Sequence, residues 1–173
     1  YEMLRSLVGS EMCIRDRGRL YGVTGTNGKT TTTILSHRLL SRKYGVKTFM
    51  LGNIGEPVLD HLPEITPDCA TVIELSSFQL EELTRLPLQI AVLTNLQPDH
   101  LDRHGSLKGY AKAKGRMLTL LDEDAFVIYN FDCIHTANLM LPLGCKARLV
   151  PFSRLRPLEY GAYYDRSDLV LAH

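Results

Sequence analysis

The stretch Leu20 to Leu35, LYGVTGTNGKTTTTIL, decides the fold. Leu20, Tyr21 and Val23 read as a short buried strand. A glycine-rich turn follows, then Lys29, the four threonines Thr30 to Thr33 and a helical pattern. Strand, glycine turn, Lys-Thr and helix make up a phosphate-binding loop. Glycine lets backbone N–H groups close on phosphate oxygens with no Cβ in the way. The positive N-terminal end of the helix points at the same oxygens. Lys29 can reach the terminal phosphates, and the Thr30 hydroxyl suits a magnesium ion. The spacing departs from the strict Walker pattern: five residues before Gly28 stands Val23, not glycine. The bland alternative is a glycine turn capping an ordinary βα unit. The preceding strand and the Lys-Thr-Thr helix start favour the phosphate loop, formed by Gly25, Thr26, Asn27, Gly28, Lys29, Thr30 and Thr31.

Outward from the loop, strands alternate with helices. Leu20–Thr24 is a strand. Lys29–Arg42 is a helix with Ile34, Leu35, Leu39 and Leu40 on one face, closed by Gly45. Val46–Leu51 is a strand, residues 52–55 a turn, and Pro57–His61 a short helix after which Pro63–Asp68 is loop. Ala70–Leu75 is a strand ending near a carboxylate, Glu74. Ser77–Arg85 is a helix, Gln89–Thr94 a strand, and Asn95–His104 a polar loop. Ser106–Leu121 is a long helix capped by Ser106. Ala125–Tyr129 and Lys146–Phe152 are strands on either side of a helix over Asp132–Leu141. This order predicts an α/β fold, a mostly parallel sheet flanked by helices. Tyr160–Tyr164 and Leu169–Leu171 read as a closing antiparallel hairpin.

Residues 1–18 show no core face and no clean period. Their run VGSEMCIRDR resembles a translated adapter sequence, so a non-native or unstructured leader is expected, with 19–173 as the folded domain. The length suits one domain. A net charge of +1 gives no case for nucleic acid or an anionic membrane. No apolar run approaches the ~20 residues of a membrane helix. Cys13, Cys69, Cys133 and Cys145 form no CxxC pair, which fits a reducing, cytoplasmic setting.

Ligands of an open α/β sheet lie at the carboxyl ends of its strands. Here four such ends carry glycine or polar groups: the phosphate loop, residues 52–55, Glu74 to Ser77, and Asn95 to His104. Glu74 follows an apolar run and needs a partner there; a magnesium ion shared with Thr30 would serve, as would a nearby cation or solvent. Asp99 to His104 packs five ionisable groups into six positions. His100 can ligate a metal through a neutral nitrogen, whereas His104 reads as an ordinary loop histidine. Lys112, Lys114 and Arg116 fit a solvated helix face, but small neighbours Ala113 and Gly115 would let Lys114 turn inward. A buried lysine loses pKa and gains nucleophilicity toward carbon dioxide.

These motifs together resemble the Mur ligase family of ATP-dependent amide-forming enzymes, whose central domain has a fold like that of the P-loop nucleotide-binding proteins. GTNGKTTT is similar to the family's phosphate loop, with Val23 as its own variant. The string Glu74 to Glu81, ELSSFQLE, resembles the branch that joins D-glutamate to UDP-N-acetylmuramoyl-L-alanine. GNIG at 52–55, DHLDRHG at 99–105 and YAKAKGR at 110–116 match the same branch in order and spacing.

The resemblance implies roles. Lys29 and the loop backbone hold ATP. Thr30 and Glu74 bind one Mg2+, and His100 with a carbamylated Lys114 binds a second. Asn53, Ser76 and His100 face the nucleotide-sugar substrate, and Lys29, His100 and Lys114 serve catalysis. ATP would phosphorylate the substrate carboxylate and the D-glutamate amine would attack the acyl phosphate, in peptidoglycan precursor synthesis by a cytoplasmic monomer. It also implies truncation: the flanking domains and the end of the central one are missing, so no ligation by this chain alone. Three rivals remain. One is another superfamily member, such as a folylpolyglutamate synthase-like enzyme, against which ELSSFQLE speaks. The second is a nucleotide-binding module without ligase chemistry, which as a switch would need a guanine-reading NKxD-like motif. The third is a non-catalytic remnant.

Overall fold

A computed structural model describes residues 18–44, 47–54, 58–85 and 87–173. Residues 1–17 of the expected leader, the helix stop at Gly45, the strand start at Val46, the turn residue Gly55 and the helix start at Pro57 lie outside the described residues. Eight strands form one sheet: β1 (Arg19–Thr24), β2 (Thr48–Gly52), β3 (Ala70–Glu74), β4 (Ile90–Leu93), β5 (Phe126–Asn130), β6 (Arg148–Ser153), β7 (Gly161–Asp165) and β8 (Asp168–Ala172). Their order is β2-β3-β1-β4-β5-β6-β7-β8. Each pairing from β2 to β7 is parallel, and β7 with β8 forms the expected antiparallel hairpin.

β1 lies between β3 and β4, so the chain moves one way from β1 through β2 and β3 and the other way from β4 onward. That reversal makes the carboxyl end of β1 the topological switch point where ligands bind in such sheets. The register aligns the ends: Val23 pairs with Glu74, Glu74 with Gly52, Thr24 with Leu93, and Leu93 with Tyr129. Every residue of β3 is buried, which requires cover on both faces. Right-handed crossovers running in opposite directions supply it. Helix α1 (Lys29–Tyr44) packs on β3, β2 and β1. Two single-turn helices, α2 (Val58–His61) and α4 (Leu101–His104), flank α3 (Ser77–Glu82) in the chain. The long helix α5 (Leu107–Thr119) packs on α3, on α4 and on the crossover between β5 and β6.

Two sequence expectations are corrected by packing. Leu35 and Leu39 are exposed, at 53% and 66%, instead of lying on a buried face. Two contacts outside the helix fix the rotation of α1, Thr30 Oγ1 donating to Glu74 Oε2 and His37 Nε2 meeting Thr48 O at 3.0 Å, and Thr33 between them is wholly buried. The inward stripe is therefore Thr30-Thr33-His37, and Leu35 and Leu39 turn away. The helix expected to reach Arg85 ends at Glu82. Arg116 causes this, and it is no solvated helix residue. Its guanidinium donates to Leu80 O (2.9 Å) and Leu83 O (2.5 Å), satisfying the carbonyls that another helical turn would have used. Arg116→Ala should cost about 2–3 kcal/mol, because hydrogen bonds from a charged donor disappear at a partly buried site. Urea melts of the chain measure it, and an unchanged midpoint would refute the cap.

Elsewhere boundaries move by a residue or two. Leu101–His104 is helical where a loop was expected. The crossover helix expected over Asp132–Leu141 is a π-helical turn, Thr136–Met140, followed by a 3-10 turn, Leu141–Leu143. Asp132 belongs to neither; its carboxylate accepts from Ser153 Oγ (2.8 Å) and Arg154 N (2.7 Å) and ties the end of β5 to β6.

Candidate active site

The phosphate loop, Gly25 to Lys29, is held from the side by the segment after β4. Asn95 Oδ1 accepts from Asn27 N and Asn95 Nδ2 donates to Asn27 O, both at 2.9 Å. Thr94 Oγ1 donates to Asn27 O (2.7 Å), Asn27 Nδ2 to Gln97 Oε1 (2.9 Å), and Gln97 N to Thr26 Oγ1 (2.9 Å). Gly25 has φ 145. A Cβ there would overlap Thr94 Oγ1. Gly25→Ala is thus expected to cost about 3 kcal/mol through strain and overlap together. A thermal melt within a degree of wild type would refute this.

Glu74 sits beneath the loop, 1% exposed. Thr30 Oγ1 donates to its Oε2, and Asn53 Nδ2 to its Oε1, each at 3.0 Å. The buried carboxylate is therefore satisfied at both oxygens. Lys29 Nζ donates to Thr26 O (2.9 Å), folded back over the loop. A cavity of about 270 Å³ opens beside these groups, lined by Lys29, Asn53, Ser76, Ser77, Phe78, Asp99, His100, Tyr110 and Lys114.

Lys114 reaches this cavity from α5. It is 2% exposed, with Nζ 4.9 Å from the Tyr110 ring centroid. Burial pushes its pKa down to about 7; the positive charge of Lys29 adds to the fall, and Asp99 and Glu74 oppose it. Much of this amine is consequently neutral near physiological pH. His100 is the N-cap of α4, in the left-handed region at φ 49 and ψ 37. Its N–H donates to Asp99 Oδ1 (3.0 Å), its Nε2 lies 3.5 Å from Asp99 Oδ2, and its ring meets Phe78 edge-on at 5.3 Å. The Ser76 hydroxyl is part of a capping box at the start of α3, accepting from Gln79 N while Gln79 Oε1 accepts from Ser76 N. His104 is buried, stacked on Phe78 and bonded to Ser77 Oγ at 3.0 Å, so it packs the wall behind the cavity.

Seven of the site residues expected from sequence thus converge: Lys29, Asn53, Ser76, His100 and Lys114 line one cavity, and Glu74 lies below it bonded to Thr30 and Asn53. Sequence reading missed Asn95, Gln97 and Tyr110. The first two had only their place after a core strand as a signal. Tyr110 had its spacing four residues before Lys114, one helical turn on the same face. The donor set fits an oxygen-seeking cation at Thr30 and Glu74, a hydroxyl beside a carboxylate. Among the described residues no three His, Cys, Asp or Glu side chains form a metal-binding group. Phosphate oxygens and water would have to complete such a shell.

Residues 23–155 match the model of the Mur ligase middle domain. The chain belongs to the Mur ligase family. It is 41% identical over 152 residues to the UDP-N-acetylmuramoylalanine–D-glutamate ligase of Caldanaerobacter subterraneus subsp. tengcongensis, covering 88% of this chain and 33% of that one. It is 40% identical over 163 residues to the enzyme of that name from Desulfitobacterium hafniense, covering 94% and 35%. The chain therefore spans about a third of the length of these relatives. Two solved Mur ligases share the fold. A UDP-N-acetylmuramoyl-L-alanyl-D-glutamate–2,6-diaminopimelate ligase superposes with a TM-score of 0.68 at 24% identity over 87% of this chain and 38% of its own. The MurF ligase of Thermotoga maritima in complex with ADP gives 0.67 at 20%, over 96% and 40%. No helix among the described residues is long and apolar enough to cross a membrane.

Proposed function

We propose that this domain binds Mg-ATP and the acyl substrate in a ligase that joins D-glutamate to UDP-N-acetylmuramoyl-L-alanine. The observation that carries the reading is the convergence of Lys29, Asn53, Ser76, His100 and Lys114 on one cavity at the mouth of the phosphate loop. The activity is proposed for a protein of the relatives' full length.

Lys29 exchanges its bond to Thr26 O for the terminal phosphate oxygens and offsets the charge that builds there during transfer. The substrate carboxylate, held in the cavity, attacks the terminal phosphorus of ATP; the new O–P bond forms as the bond to ADP breaks, giving an acyl phosphate and ADP. The D-glutamate amine then attacks the acyl carbon; the C–N bond forms, phosphate leaves and the amine gives up its proton. Holding the partners in line contributes much of the rate. Magnesium at Thr30 and Glu74 would neutralise phosphate charge. The neutral Lys114 amine can add to carbon dioxide, losing a proton and leaving a carbamate whose oxygens, with His100, would hold a second ion.

A chimera tests this: the segment matched to the Caldanaerobacter relative replaces its counterpart there. ADP release should require both UDP-N-acetylmuramoyl-L-alanine and D-glutamate. Release with diaminopimelate or with a folate in their place, or none in a folded chimera, would sink the reading.

A further inference from the structure

We propose that Ser77, His104 and Glu81 form a relay that carries the proton given up by the attacking amine out of the acyl cavity. The inference rests on the ligase reading above and gives that proton a route.

An amine that attacks an acyl phosphate loses a proton as the C–N bond forms, and a positioned base speeds that loss. Most groups lining the cavity have other duties. Lys29 serves the phosphates, Asn53 holds Glu74, Asp99 accepts from His100 N, and Lys114 and His100 are assigned above to carbamate and metal. Ser77 lines the same cavity and has a base directly behind it.

Ser77 and Glu81 stand four residues apart on α3, one turn along the same face. His104, at the end of α4, meets both. Its Nε2 lies 3.0 Å from Ser77 Oγ, and its Nδ1 lies 3.6 Å from Glu81 Oε1, an ion-pair distance once the ring is protonated. The imidazole is 2% exposed, against 37% for the Glu81 side chain. Phe78 stacks on it at 5.5 Å and Tyr110 tilts against it at 5.3 Å. These rings hold the imidazole so that one nitrogen addresses Ser77 and the other Glu81. Packing alone asks for neither contact, since an apolar side chain would fill the wall with no polar atom to satisfy.

The far end of the relay opens outward. Glu81 and His104 line a second pocket, of about 430 Å³, together with Arg103, Lys112 and Arg116. Ser77 belongs to the inner cavity and Glu81 to the outer pocket, so the three residues cross the wall between them. Three cations around the outer pocket draw anionic buffer bases toward Glu81, where they can take the proton away.

In the step itself, His104 carries its ring proton on Nδ1, facing Glu81, and Nε2 accepts from Ser77 Oγ. The amine lone pair forms the C–N bond. The amine proton passes to Ser77 Oγ as the serine proton passes to Nε2, and the C–O bond breaks with its electron pair going to phosphate. Glu81 stabilises the imidazolium so formed. The imidazolium then releases a proton to the outer pocket.

Nitrogen-15 NMR of the chain tests the geometry without any ligase chemistry. Neutral His104 should be the Nδ1–H tautomer, and an Nε2–H tautomer would overturn the relay alone. In the chimera, D-glutamate is compared with hydroxylamine, a nucleophile whose weakly basic nitrogen gives up its proton to water. Ser77→Ala and His104→Gln should each lower the ratio of D-glutamate to hydroxylamine turnover about 100-fold, as for a lost general base. Glu81→Gln should lower it less. Ser77→Thr, which keeps the hydroxyl, should restore most of the ratio, and added imidazole should speed D-glutamate ligation by His104→Ala. Equal losses with both nucleophiles, or no loss, would overturn the relay and leave the three residues as packing. An unsubstituted chimera that joins neither nucleophile would overturn the ligase reading and the relay together.

Discussion

Lys29→Ala is expected to lower ligase turnover in the chimera about 10³-fold and to abolish measurable Mg-ATP binding by the chain. The substitution removes a cation from beside the oxygens where charge accumulates, and such an interaction matters most in the transition state. Stability should barely change. Lys29 is only half-buried, and its side-chain hydrogen bond to Thr26 O is worth about 1–2 kcal/mol at most there. A second effect distinguishes this lysine from a loop ornament. Its charge is the second cause, after burial, of the low pKa of Lys114. Removing it should raise the Lys114 pKa and shrink the fraction of neutral amine at pH 7. Nitrogen-15 NMR of the lysine side chains reads that shift. A variant with wild-type ATP affinity would remove the phosphate-loop reading outright.

Local chemistry made much of this site legible. Lys29 and Thr30 follow a glycine turn, and the turn's conformation is encoded within a few residues. Glu74 ends an apolar strand, and a carboxylate in such a position announces that it has a partner. Lys114 sits between small residues, which predicted that it could turn inward. What escaped was set by distant partners. The apolar residues Leu35 and Leu39 look like a core face by period. The rotation of α1 is instead decided by Thr30 meeting Glu74 and His37 meeting the carbonyl of Thr48, residues that helical periodicity does not weigh. Arg116 reads as one more surface cation on α5. It becomes a cap only because α3 ends beside it. Asn95 and Gln97 brace the phosphate loop from about 70 positions away, as the separations in their hydrogen bonds show. A pattern confined to one segment carries no trace of such pairings, although strand order, once known, places them.

Lys114→Met is expected to make the protein more stable and the ligase inactive. Both effects follow from one buried amine. Its folded pKa is about 7, against 10.5 for the unpaired side chain. Between those values the unfolded chain binds a proton that the folded chain does not, so stability rises with pH across that window. Below pH 7 both states carry the proton, and the folded state bears the full cost of burying it. The methionine variant has no such cost. It fits a similar volume beside Tyr110, and its advantage should be a few kcal/mol near pH 6, shrinking as pH climbs toward 10.5. Denaturant melts at pH 6, 8 and 10 follow the trend. Activity moves the other way. On the proposed carbamate reading, turnover in the chimera should fall about 10³-fold or more without the amine, as expected for loss of a group that would hold a metal ion. Wild-type activity should also depend on dissolved carbon dioxide, falling in degassed buffer and returning with bicarbonate. If the methionine variant is less stable than wild type at pH 6, the lysine is a packing residue. If it keeps its turnover, or wild type ignores bicarbonate, the carbamate has no part in the reaction. A side chain that weakens the fold near neutral pH yet is needed for turnover gives opposed signs in the two measurements, and a packing residue does not.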